Sequence, residues 1–349
     1  MTEPGAAEGT SERVHHRLRV AEVITETVDA VSVVFDLTAS QRERFAYRPG
    51  QFLTLRLPMP QGPVARCYSL ASSPHTDPLL KITVKRVDGG AGSNWICDNV
   101  RPGTELDVLE PSGVFVPGSL DDDLLLLAAG SGVTPIMSIA KSVLDAGTGT
   151  VVLCYANRDE SATIFREELE TLAAAHQERL TVSHWLESSR GLPTHEGIAE
   201  LVSGCRFGEA FLCGPKPFMD IARAVLRDLG LPRSKVHLER FSSLSGDPFA
   251  NTVPAEPTGA AVDLVVELDG EQHRLAWPSK VRLLDVLAAH GLNAPTSCGE
   301  GVCASCECRL VAGEVHMVNN QVLDDEDIAD GYVLACQALP VTETVHVRF

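Results

Sequence analysis

The chain has 349 residues, a length that predicts two or three domains. Hydrophobic residues make up 44% of the chain and charged residues 22%, as in ordinary globular proteins with a sizeable core. The formal net charge is −18 and no run of basic residues is present, so the composition argues against a nucleic-acid partner, whose phosphates require lysine and arginine.

The sequence contains no apolar run near the roughly 20 residues of a membrane-spanning helix. Its first residues, Met1 to Glu12, lack the positive and apolar regions of a signal peptide. We therefore expect a cytoplasmic protein without an integral membrane segment, with a disordered start over residues 1–15.

Residues 16–118 show the pattern of short strands separated by proline and glycine turns. The segments "QFLTLRL" and "KITVKRV" alternate apolar and polar positions, which is typical of half-buried strands. This pattern predicts a small antiparallel β-barrel.

Strand and helix patterns alternate over residues 119–245. The run "DDDLLLLAAG" is apolar throughout its strand portion, as expected of a parallel strand covered on both faces. Helical stretches follow at 136–144, 163–176, near 198–202 and at 217–229, with strands between them. The alternation predicts a doubly wound parallel sheet with α/β architecture.

The segment 246–261 is rich in proline, alanine, glycine and threonine and is predicted to be a linker. Residues 262–349 then form a third unit that begins with the strand pattern "VDLVVELDG". This unit has 14 acidic and 5 basic residues and so carries half of the net charge of the chain.

The third unit contains the pattern Cys298-x4-Cys303-x2-Cys306, followed by Cys336. This is the spacing of plant-type 2Fe-2S ligands, in which one loop supplies three thiolates and a distant residue the fourth. The small residues between the cysteines allow backbone N–H groups to approach the sulfurs. Structural zinc, which more often takes two close pairs, is the alternative. Cys308 nearby is interpreted as a buried residue on the next strand.

A glycine turn follows the apolar strand at Gly130-Ser131-Gly132-Val133-Thr134-Pro135. A pyrophosphate can bind at such a turn, on the N-terminus of the following helix, although the third glycine of the dinucleotide fingerprint is missing. Cys213-Gly214-Pro215 ends a later strand, where a parallel sheet presents its ligand edge. Cys213 there is either close to the nicotinamide C4 or only a small buried residue.

The sequence after the second parallel strand is Asn157-Arg158-Asp159. Asp159 is suited to a ribose 2′-hydroxyl, which favours NADH, whereas Arg158 is suited to the 2′-phosphate of NADPH. Both residues are equally interpretable as solvated loop charges. We expect NADH, with NADPH as the alternative.

A flavin motif lies in the barrel segment, in "ARCYSLASSP". Arg66 and Tyr68 share one face of a strand and Ser69 the other. The arginine is suited to a pyrophosphate, the tyrosine offers a ring, and the serine can bond a flavin nitrogen. A small-residue turn at Gly92-Ser93-Asn94 opens a predicted helix, a second seat for phosphate.

The two stronger motifs together require a third cofactor. A nicotinamide gives up two electrons as a hydride, whereas a 2Fe-2S cluster accepts one at a time, and a flavin converts between the two. The barrel is the domain left to hold that flavin.

These motifs together resemble the ferredoxin–NADP reductase superfamily, in its branch with a C-terminal plant-type ferredoxin domain. The resemblance rests on "RCYSLASSP", "AAGSGVTPIMSI", "YANRD", "FLCGP" and "CGEGVCASCEC" and covers about residues 16–349. Within this branch the sequence resembles the reductase components of 3-ketosteroid 9α-hydroxylases. The resemblance implies FAD, NADH, an α+β ferredoxin-like (β-grasp) fold for 262–349 and a Rieske-type oxygenase as electron acceptor.

The resemblance also implies roles for individual residues. Glu239 or Phe241, in "LERF", closes over the flavin–nicotinamide site, although Phe241 is equally interpretable as a core aromatic. We predict Ser69, Cys213 and Glu239 as the catalytic set, with Ser69 and Cys213 positioning the reactants rather than moving protons. The motifs and the resemblance together give the expected flavin and nicotinamide contacts: Arg66, Tyr68, Ser69, Lys85, Gly92, Ser93, Asn94, Phe241, Gly130, Gly132, Thr134, Pro135, Asn157, Arg158, Asp159, Cys213, Gly214 and Pro215.

The expected function is electron transfer from NADH through FAD and the cluster to a steroid oxygenase. Alternative acceptors are another oxygenase, a diiron hydroxylase or an acyl desaturase. A non-catalytic redox sensor is a more distant alternative, since the sequence shows no appended signalling module.

Overall fold

The computed structural model of the chain describes residues 15–244, 246–249, 260–296 and 298–349. The chain divides into two compact units, Arg17–Ser243 and a second unit that contains Leu244–Phe349 with the two described residues before Arg17. The predicted disordered start lies outside the described residues except for His15. Most of the predicted linker at 246–261 also lies outside them, apart from 246–249 and 260–261.

An antiparallel barrel forms the first part of the first unit. Its strands and helices are β1 (His16–Thr27), β2 (Ala30–Asp36), α1 (Ala39–Arg44), β3 (Phe52–Leu57), β4 (Val64–Ser69), β5 (Leu80–Lys85), α2 (Ala91–Asn99) and β6 (Glu105–Val108). The strand order is β4-β3-β6-β1-β2-β5. Leu70, just after β4, bridges to Ile82 of β5, so the two edge strands meet and the sheet closes. The predicted barrel is confirmed.

A five-stranded parallel sheet with helices on both faces completes the first unit. Its elements are β7 (Leu124–Ala129), α3 (Val133–Ala146), β8 (Val151–Asn157), α4 (Arg166–Ala175), β9 (Leu180–Leu186), α5 (Glu187–Arg190), α6 (His195–Val202), β10 (Glu209–Cys213), α7 (Lys216–Asp228) and β11 (Val236–Glu239). The strand order is β11-β10-β7-β8-β9, with every pairing parallel. The predicted doubly wound sheet is confirmed.

Strand β7 is buried on both faces, which explains its continuous apolar sequence. Leu124 and Leu126 belong to the core that includes α3 and α4, whereas Leu125 and Leu127 belong to the core that includes α6 and α7. Because successive side chains of a strand point to opposite faces, an apolar residue is needed at every position.

The helix predicted at 163–176 begins later, at Arg166. The two residues before it, Ile164 and Phe165, are both buried in the core. Phe165 has a φ of 60°, a left-handed conformation that interrupts a helix. The prediction was wrong at this end because core packing, not helical periodicity, decides the backbone there.

The chain order of the sheet creates a switch point between β7 and β10. The chain runs outward from β7 through β8 to β9 and then returns to the other side of β7 as β10 and β11. Ligands of open α/β sheets bind at the carboxyl edge next to such a point. The ends of β7 and β10 are the glycine turn at Gly130 and the residue Cys213.

The second unit is an α+β fold. Its elements are β12 (Ala261–Leu268), β13 (Glu271–Pro278), α8 (Leu283–Ala289), β14 (Glu307–Ala312), β15 (Val315–Met317), α9 (Asp325–Ala329), β16 (Tyr332–Leu334), β17 (Ala338–Pro340) and β18 (Thr344–Arg348). The main sheet has the order β13-β12-β18-β14-β16, with β12 and β18 parallel, and β15 pairs with β17. Trp277 and the apolar face of α8 share its core. None of the helices in the described ranges is long and apolar enough to cross a bilayer.

Candidate functional site

A cavity of about 260 Å³ in the first unit joins the barrel to the carboxyl edge of the parallel sheet. Its walls come from β4, β5, the start of α2, the turn after β7 and the segment after β11. The lining residues are Arg66, Cys67, Tyr68, Ser69, Thr83, Val84, Lys85, Val87, Gly90, Ala91, Gly92, Ser93, Ser131, Thr134, Phe241, Ser242 and Ser243.

The barrel wall of the cavity is the contact between β4 and the first turn of α2. A Cβ atom on Gly92 would lie 2.8 Å from Cγ of Arg66 and 3.3 Å from the Tyr68 hydroxyl oxygen. Any side chain at position 92 would therefore displace the two residues that the flavin motif places there. Tyr68 is half-buried against the barrel core, and desolvation raises the pKa of its hydroxyl, which stays neutral.

Ser93 and Asn94 lie in the first turn of α2, not in a loop before it. The Oγ of Ser93 accepts a hydrogen bond from the Val87 N–H at 3.1 Å, and Ser93 lines the cavity. The Asn94 amide donates to the Val87 carbonyl at 3.2 Å and lies outside the lining. Ser93 thus lies at the predicted phosphate-binding site, whereas Asn94 stabilises the preceding turn.

Lys85, at the end of β5, is a cation of the barrel wall. Its Nζ lies 3.8 Å from Oδ2 of Asp29, in the turn between β1 and β2. Burial lowers the pKa of Lys85, while the neighbouring carboxylate of Asp29 opposes that shift.

The turn after β7 forms the nucleotide wall. A Cβ atom on Gly132 would lie 2.1 Å from the carbonyl oxygen of Cys213, so only glycine allows β7 and β10 to approach this closely at the switch point. Thr134 lines the cavity and its hydroxyl donates to the Ser131 carbonyl at 3.0 Å. Pro135 is buried in the first turn of α3, where a missing N–H is tolerated.

The end of β10 leads directly into α7. Cys213 is the last residue of the strand, Gly214 follows, and Pro215 is the N-cap of the helix. A Cβ atom on Gly214 would lie 2.9 Å from Cβ of Ala129, so this position also requires a residue without a side chain.

The three residues predicted to be catalytic come together. Cys213 and Glu239 are register partners at the ends of the parallel strands β10 and β11. The Ser69 hydroxyl donates to Oε2 of Glu239 at 2.8 Å, although the two residues are 170 positions apart. Burial raises the pKa of Glu239 to about 7, against the lowering effect of the Ser69 bond. Burial also raises the pKa of the Cys213 thiol, which remains protonated.

The residues after β8, which the sequence suggested for the ribose of the nucleotide, mainly contact other protein groups. Asn157 is buried at the end of the strand. Oδ1 of Asp159 accepts bonds from the Ser161 hydroxyl at 2.6 Å and the Ala162 N–H at 3.0 Å, so this carboxylate caps its own loop. Arg158 donates through Nη2 to Oδ2 of Asp29 at 2.9 Å. A residue of the barrel thus holds the arginine of the nucleotide domain.

Phe241 follows β11 and is 52% exposed, so it is not a core aromatic. It lines the cavity together with Ser242 and Ser243, which sequence reasoning missed. Asp29 was missed as well. A pair of serines after a strand and an aspartate in a hairpin turn carry no pattern that separates them from ordinary loop residues.

The four predicted cluster cysteines meet in the second unit. The Sγ atoms of Cys303 and Cys298 lie 3.1 Å apart. The Cys336 thiol is within hydrogen-bonding reach of both Cys298 and Cys306. One loop and one distant residue therefore bring four sulfur atoms together, the donor set of a 2Fe-2S cluster.

The backbone of this loop fits such a cluster. Gly299 and Gly301 have φ values of +69° and +76°, and Ala304, without glycine's freedom, has +57°. This conformation turns N–H groups toward sulfur: Glu300 N–H lies 3.3 Å from Cys298 Sγ, and Cys336 N–H lies 3.4 Å from Cys306 Sγ. Such donors stabilise negative charge on thiolate ligands.

Two further residues complete the surroundings of the thiols. Gln337 is buried, and its amide donates to the Gly299 carbonyl at 2.7 Å and lies 3.5 Å from Cys336 Sγ. The sequence offered no signal for it, since a single glutamine is not a motif. Cys308 lies buried on β14, where it pairs with Val333, and burial raises the pKa of its thiol.

Comparison with protein families divides the chain into three matching regions. Residues 17–116 match the oxidoreductase FAD-binding domain and residues 126–224 match the oxidoreductase NAD-binding domain. Residues 266–341 match the 2Fe-2S iron-sulfur cluster binding domain. The order of the three is the one expected from the motifs.

The chain also resembles complete proteins along most of its length. It is 54% identical to the 3-ketosteroid-9-alpha-monooxygenase ferredoxin reductase component of Rhodococcus rhodochrous, over 95% of this chain and 96% of that protein. It is 32% identical to the reductase component of the glycine betaine monooxygenase of Pseudomonas aeruginosa, over 95% of this chain and 94% of that protein. The solved structure of phthalate dioxygenase reductase has the same fold, with a TM-score of 0.57 and 22% identity. The match spans 96% of this chain and 98% of that chain.

The family matches give the same three domains, in the same order, as the structure. The relatives match this chain along nearly their whole length. The chain transfers electrons as an oxidoreductase with FAD-binding, NAD-binding and 2Fe-2S domains. It belongs to the family of oxygenase reductase components that includes the ferredoxin reductase components of 3-ketosteroid-9-alpha-monooxygenases.

Proposed function

We propose that this chain is the NADH-dependent reductase of a 3-ketosteroid 9α-monooxygenase, with a Rieske-type oxygenase as its electron acceptor. The observation that supports this most is a cavity lined by both the flavin strand β4 and the nucleotide turn after β7. A flavin bound on β4 and a nicotinamide bound on that turn would share one chamber.

The residues of the barrel wall suit FAD. Arg66 supplies a fixed cation for the pyrophosphate, and Tyr68 supplies a neutral ring beside the flavin. Gly92 and Ser93 leave the start of α2 open, so its N–H groups can meet a phosphate. When bound, FAD takes up a hydride and passes electrons on one at a time.

Ser69, Cys213 and Glu239 would orient the two rings rather than transfer a proton. The Cys213 thiol is protonated and fully buried at the end of β10, so it acts through its bulk and position. Ser69 is held by Glu239 at 2.8 Å, which fixes the direction of its hydroxyl beside the predicted flavin seat. Phe241, exposed at the mouth of the cavity, would cover the ring that lies there.

Cys298, Cys303, Cys306 and Cys336 would hold the cluster in the second unit, with backbone N–H groups and Gln337 around their sulfurs. The cluster supplies one-electron transfer to a partner protein. The 54% identity to a ketosteroid monooxygenase reductase supports a steroid oxygenase as that partner. We also propose a cytoplasmic location, where a reducing environment keeps cluster thiols available.

The test is reconstitution of the purified chain with the terminal oxygenase of a 3-ketosteroid 9α-monooxygenase. We expect two iron and two sulfide per chain, one FAD, and NADH-dependent hydroxylation of a 3-ketosteroid. The matched variant is Cys303→Ser, which should keep NADH oxidation with ferricyanide, since that reaction needs only the first unit, and lose hydroxylation.

Three results would count against the proposal. Colourless protein, or protein with zinc in place of iron and sulfide, would remove the reductase function. Ferricyanide reduction without ketosteroid hydroxylation would remove the steroid oxygenase as acceptor, and turnover with another oxygenase would replace it. Loss of both activities in Cys303→Ser, with FAD still bound, would contradict the order of electron transfer.

A further inference from the structure

The nucleotide domain and the barrel are joined by an ion pair next to the predicted dinucleotide site. Arg158, just after β8, donates through Nη2 to Oδ2 of Asp29 at 2.9 Å. Asp29 lies between β1 and β2 and is itself held, since its Oδ1 accepts the Thr27 hydroxyl at 2.8 Å. The Asp29 side chain is 23% exposed and the Arg158 side chain 61% exposed, so an incoming ligand can reach both.

The position of this pair relative to a bound dinucleotide follows from the sheet. The pyrophosphate site of a doubly wound sheet is the turn after the first strand, here β7, and the adenosine extends toward the end of the next strand, here β8. The end of β8 is Asn157, with Arg158 immediately after it. A dinucleotide bound in this way would bring its ribose 2′ position near the Arg158–Asp29 pair.

Asp159, the carboxylate that the sequence suggested for that ribose, uses one of its two oxygens within its own loop. Oδ1 of Asp159 accepts bonds from the Ser161 hydroxyl and the Ala162 N–H. These contacts hold its own loop in shape. Asp29, which comes from the barrel, is the carboxylate that accepts a hydrogen bond from Arg158, the arginine at the end of β8 that is suited to a 2′-phosphate.

The charge of the 2′ substituent should distinguish NADPH from NADH at this position. Oδ2 of Asp29 contacts two cations, Arg158 at 2.9 Å and Lys85 at 3.8 Å. A 2′-phosphate, with nearly two negative charges, would have to compete with this fixed carboxylate for both cations and would be repelled by it. A 2′-hydroxyl instead can donate to that carboxylate. We propose, building on the NADH-dependent function above, that Asp29 is the residue that determines the preference for NADH over NADPH.

The experiment is the Asp29→Asn substitution in the full chain with FAD and cluster bound. We expect the ratio of kcat/KM for NADH to that for NADPH, measured with ferricyanide, to fall by about tenfold or more, because like-charge contacts are strongly unfavourable. The dissociation constant of 2′-AMP, measured by calorimetry in the absence of turnover, should fall in parallel, whereas that of 5′-AMP should change by less than about threefold.

Two further variants identify the cause. Asp107→Asn removes another barrel carboxylate that is paired with an arginine, Arg17 at 3.2 Å, and should leave the ratio unchanged. Arg158→Ala combined with Asp29→Asn should cancel the gain in NADPH use, because the released guanidinium is what receives the phosphate. Flavin content by absorbance confirms that each variant is folded.

The outcomes separate this inference from the proposed function. If Asp29→Asn retains FAD and NADH turnover but the ratio changes by less than about twofold, Asp29 does not determine specificity and the inference fails while the reductase function stands. If the unsubstituted chain oxidises neither nucleotide, the proposed function fails first. A wild-type preference for NADPH would overturn the inference directly.

Discussion

Desolvation makes the ionised form of the Glu239 carboxyl group energetically unfavourable. Burial raises its pKa to about 7 from an ordinary value of 4.5, and its described contact is one hydrogen bond from Ser69. In the unfolded chain the same group ionises near 4.5. Between these two values the folded state binds a proton at Glu239 that the unfolded state does not, so the contribution of Glu239 to the free energy of unfolding falls as pH rises from about 4.5 to about 7.

This sign gives a prediction for Glu239→Gln. The amide cannot ionise and can still accept the Ser69 bond, so the variant should gain stability over the wild type as pH rises, by up to about 3 kcal/mol at about pH 8, and little at about pH 5. The measurement is the denaturant midpoint of the first unit, followed by flavin fluorescence at several pH values. Glu105→Gln, at an exposed position on β6, is the control. Parallel pH profiles for Glu239→Gln and wild type would show that Glu239 is ionised throughout.

At the scale of elements, the first unit is held together by a cluster of charges between the barrel and the parallel sheet. Lys141 of α3 contacts Asp77 at 2.6 Å and Glu168 of α4 at 2.8 Å, and Glu168 also contacts Lys81 of β5 at 2.7 Å. The Lys141 side chain is only 10% exposed. The helix that follows the nucleotide turn is thus tied to the loop that follows the flavin strand.

Lys141→Met should destabilise this junction. Removing one partner of a buried ion pair costs about 3–5 kcal/mol, and we expect about 2–3 kcal/mol because Lys81 still neutralises Glu168. Guanidinium unfolding of the first unit, read from flavin fluorescence, measures the change. Lys216→Met breaks a pair with Asp220 whose side chains are 71% and 48% exposed, and should cost less than about 0.5 kcal/mol. Equal effects of the two substitutions would mean that the cluster contributes no more than a surface pair.

Local patterns predicted most of the elements but little of what joins them. The apolar run at β7 and the alternation in β3 were sufficient to predict strands, because burial on one or two faces shapes the sequence directly. The cysteine spacing was likewise sufficient to predict the loop that carries Cys298, Cys303 and Cys306, because the ligand spacing of a cluster is a local pattern. The contacts of Arg158 with Asp29 and of Ser69 with Glu239 span 129 and 170 residues. Such pairs depend on how two domains pack, and no local period records that.

At the scale of the whole molecule, charge is unevenly distributed. Residues 262–349 carry 14 acidic and 5 basic side chains. An acidic surface attracts a partner with a complementary positive patch and speeds its encounter, and salt screens this attraction. The unit with the cluster thiols is therefore the one suited to meeting the oxygenase.

Electron transfer to the oxygenase should accordingly weaken with salt. Between about 50 and 500 mM sodium chloride we expect the second-order rate constant to fall by about fivefold or more. Reduction of a neutral quinone by the same preparation should change little, which controls for effects on NADH binding or on the flavin. A rate constant for the oxygenase that is independent of salt would show that the acidic unit does not steer its partner.

The location of Cys336 has a consequence for how the protein matures. Three of the four proposed cluster ligands lie close together in one loop, whereas the fourth comes 30 residues after Cys306, beyond β14, β15, α9 and β16. A nascent chain that has emerged from the ribosome only as far as that loop can present three thiolates and lacks the last. Complete iron loading at these proposed ligands would therefore wait for the synthesis of those four elements, and products truncated among them would lack a finished redox centre.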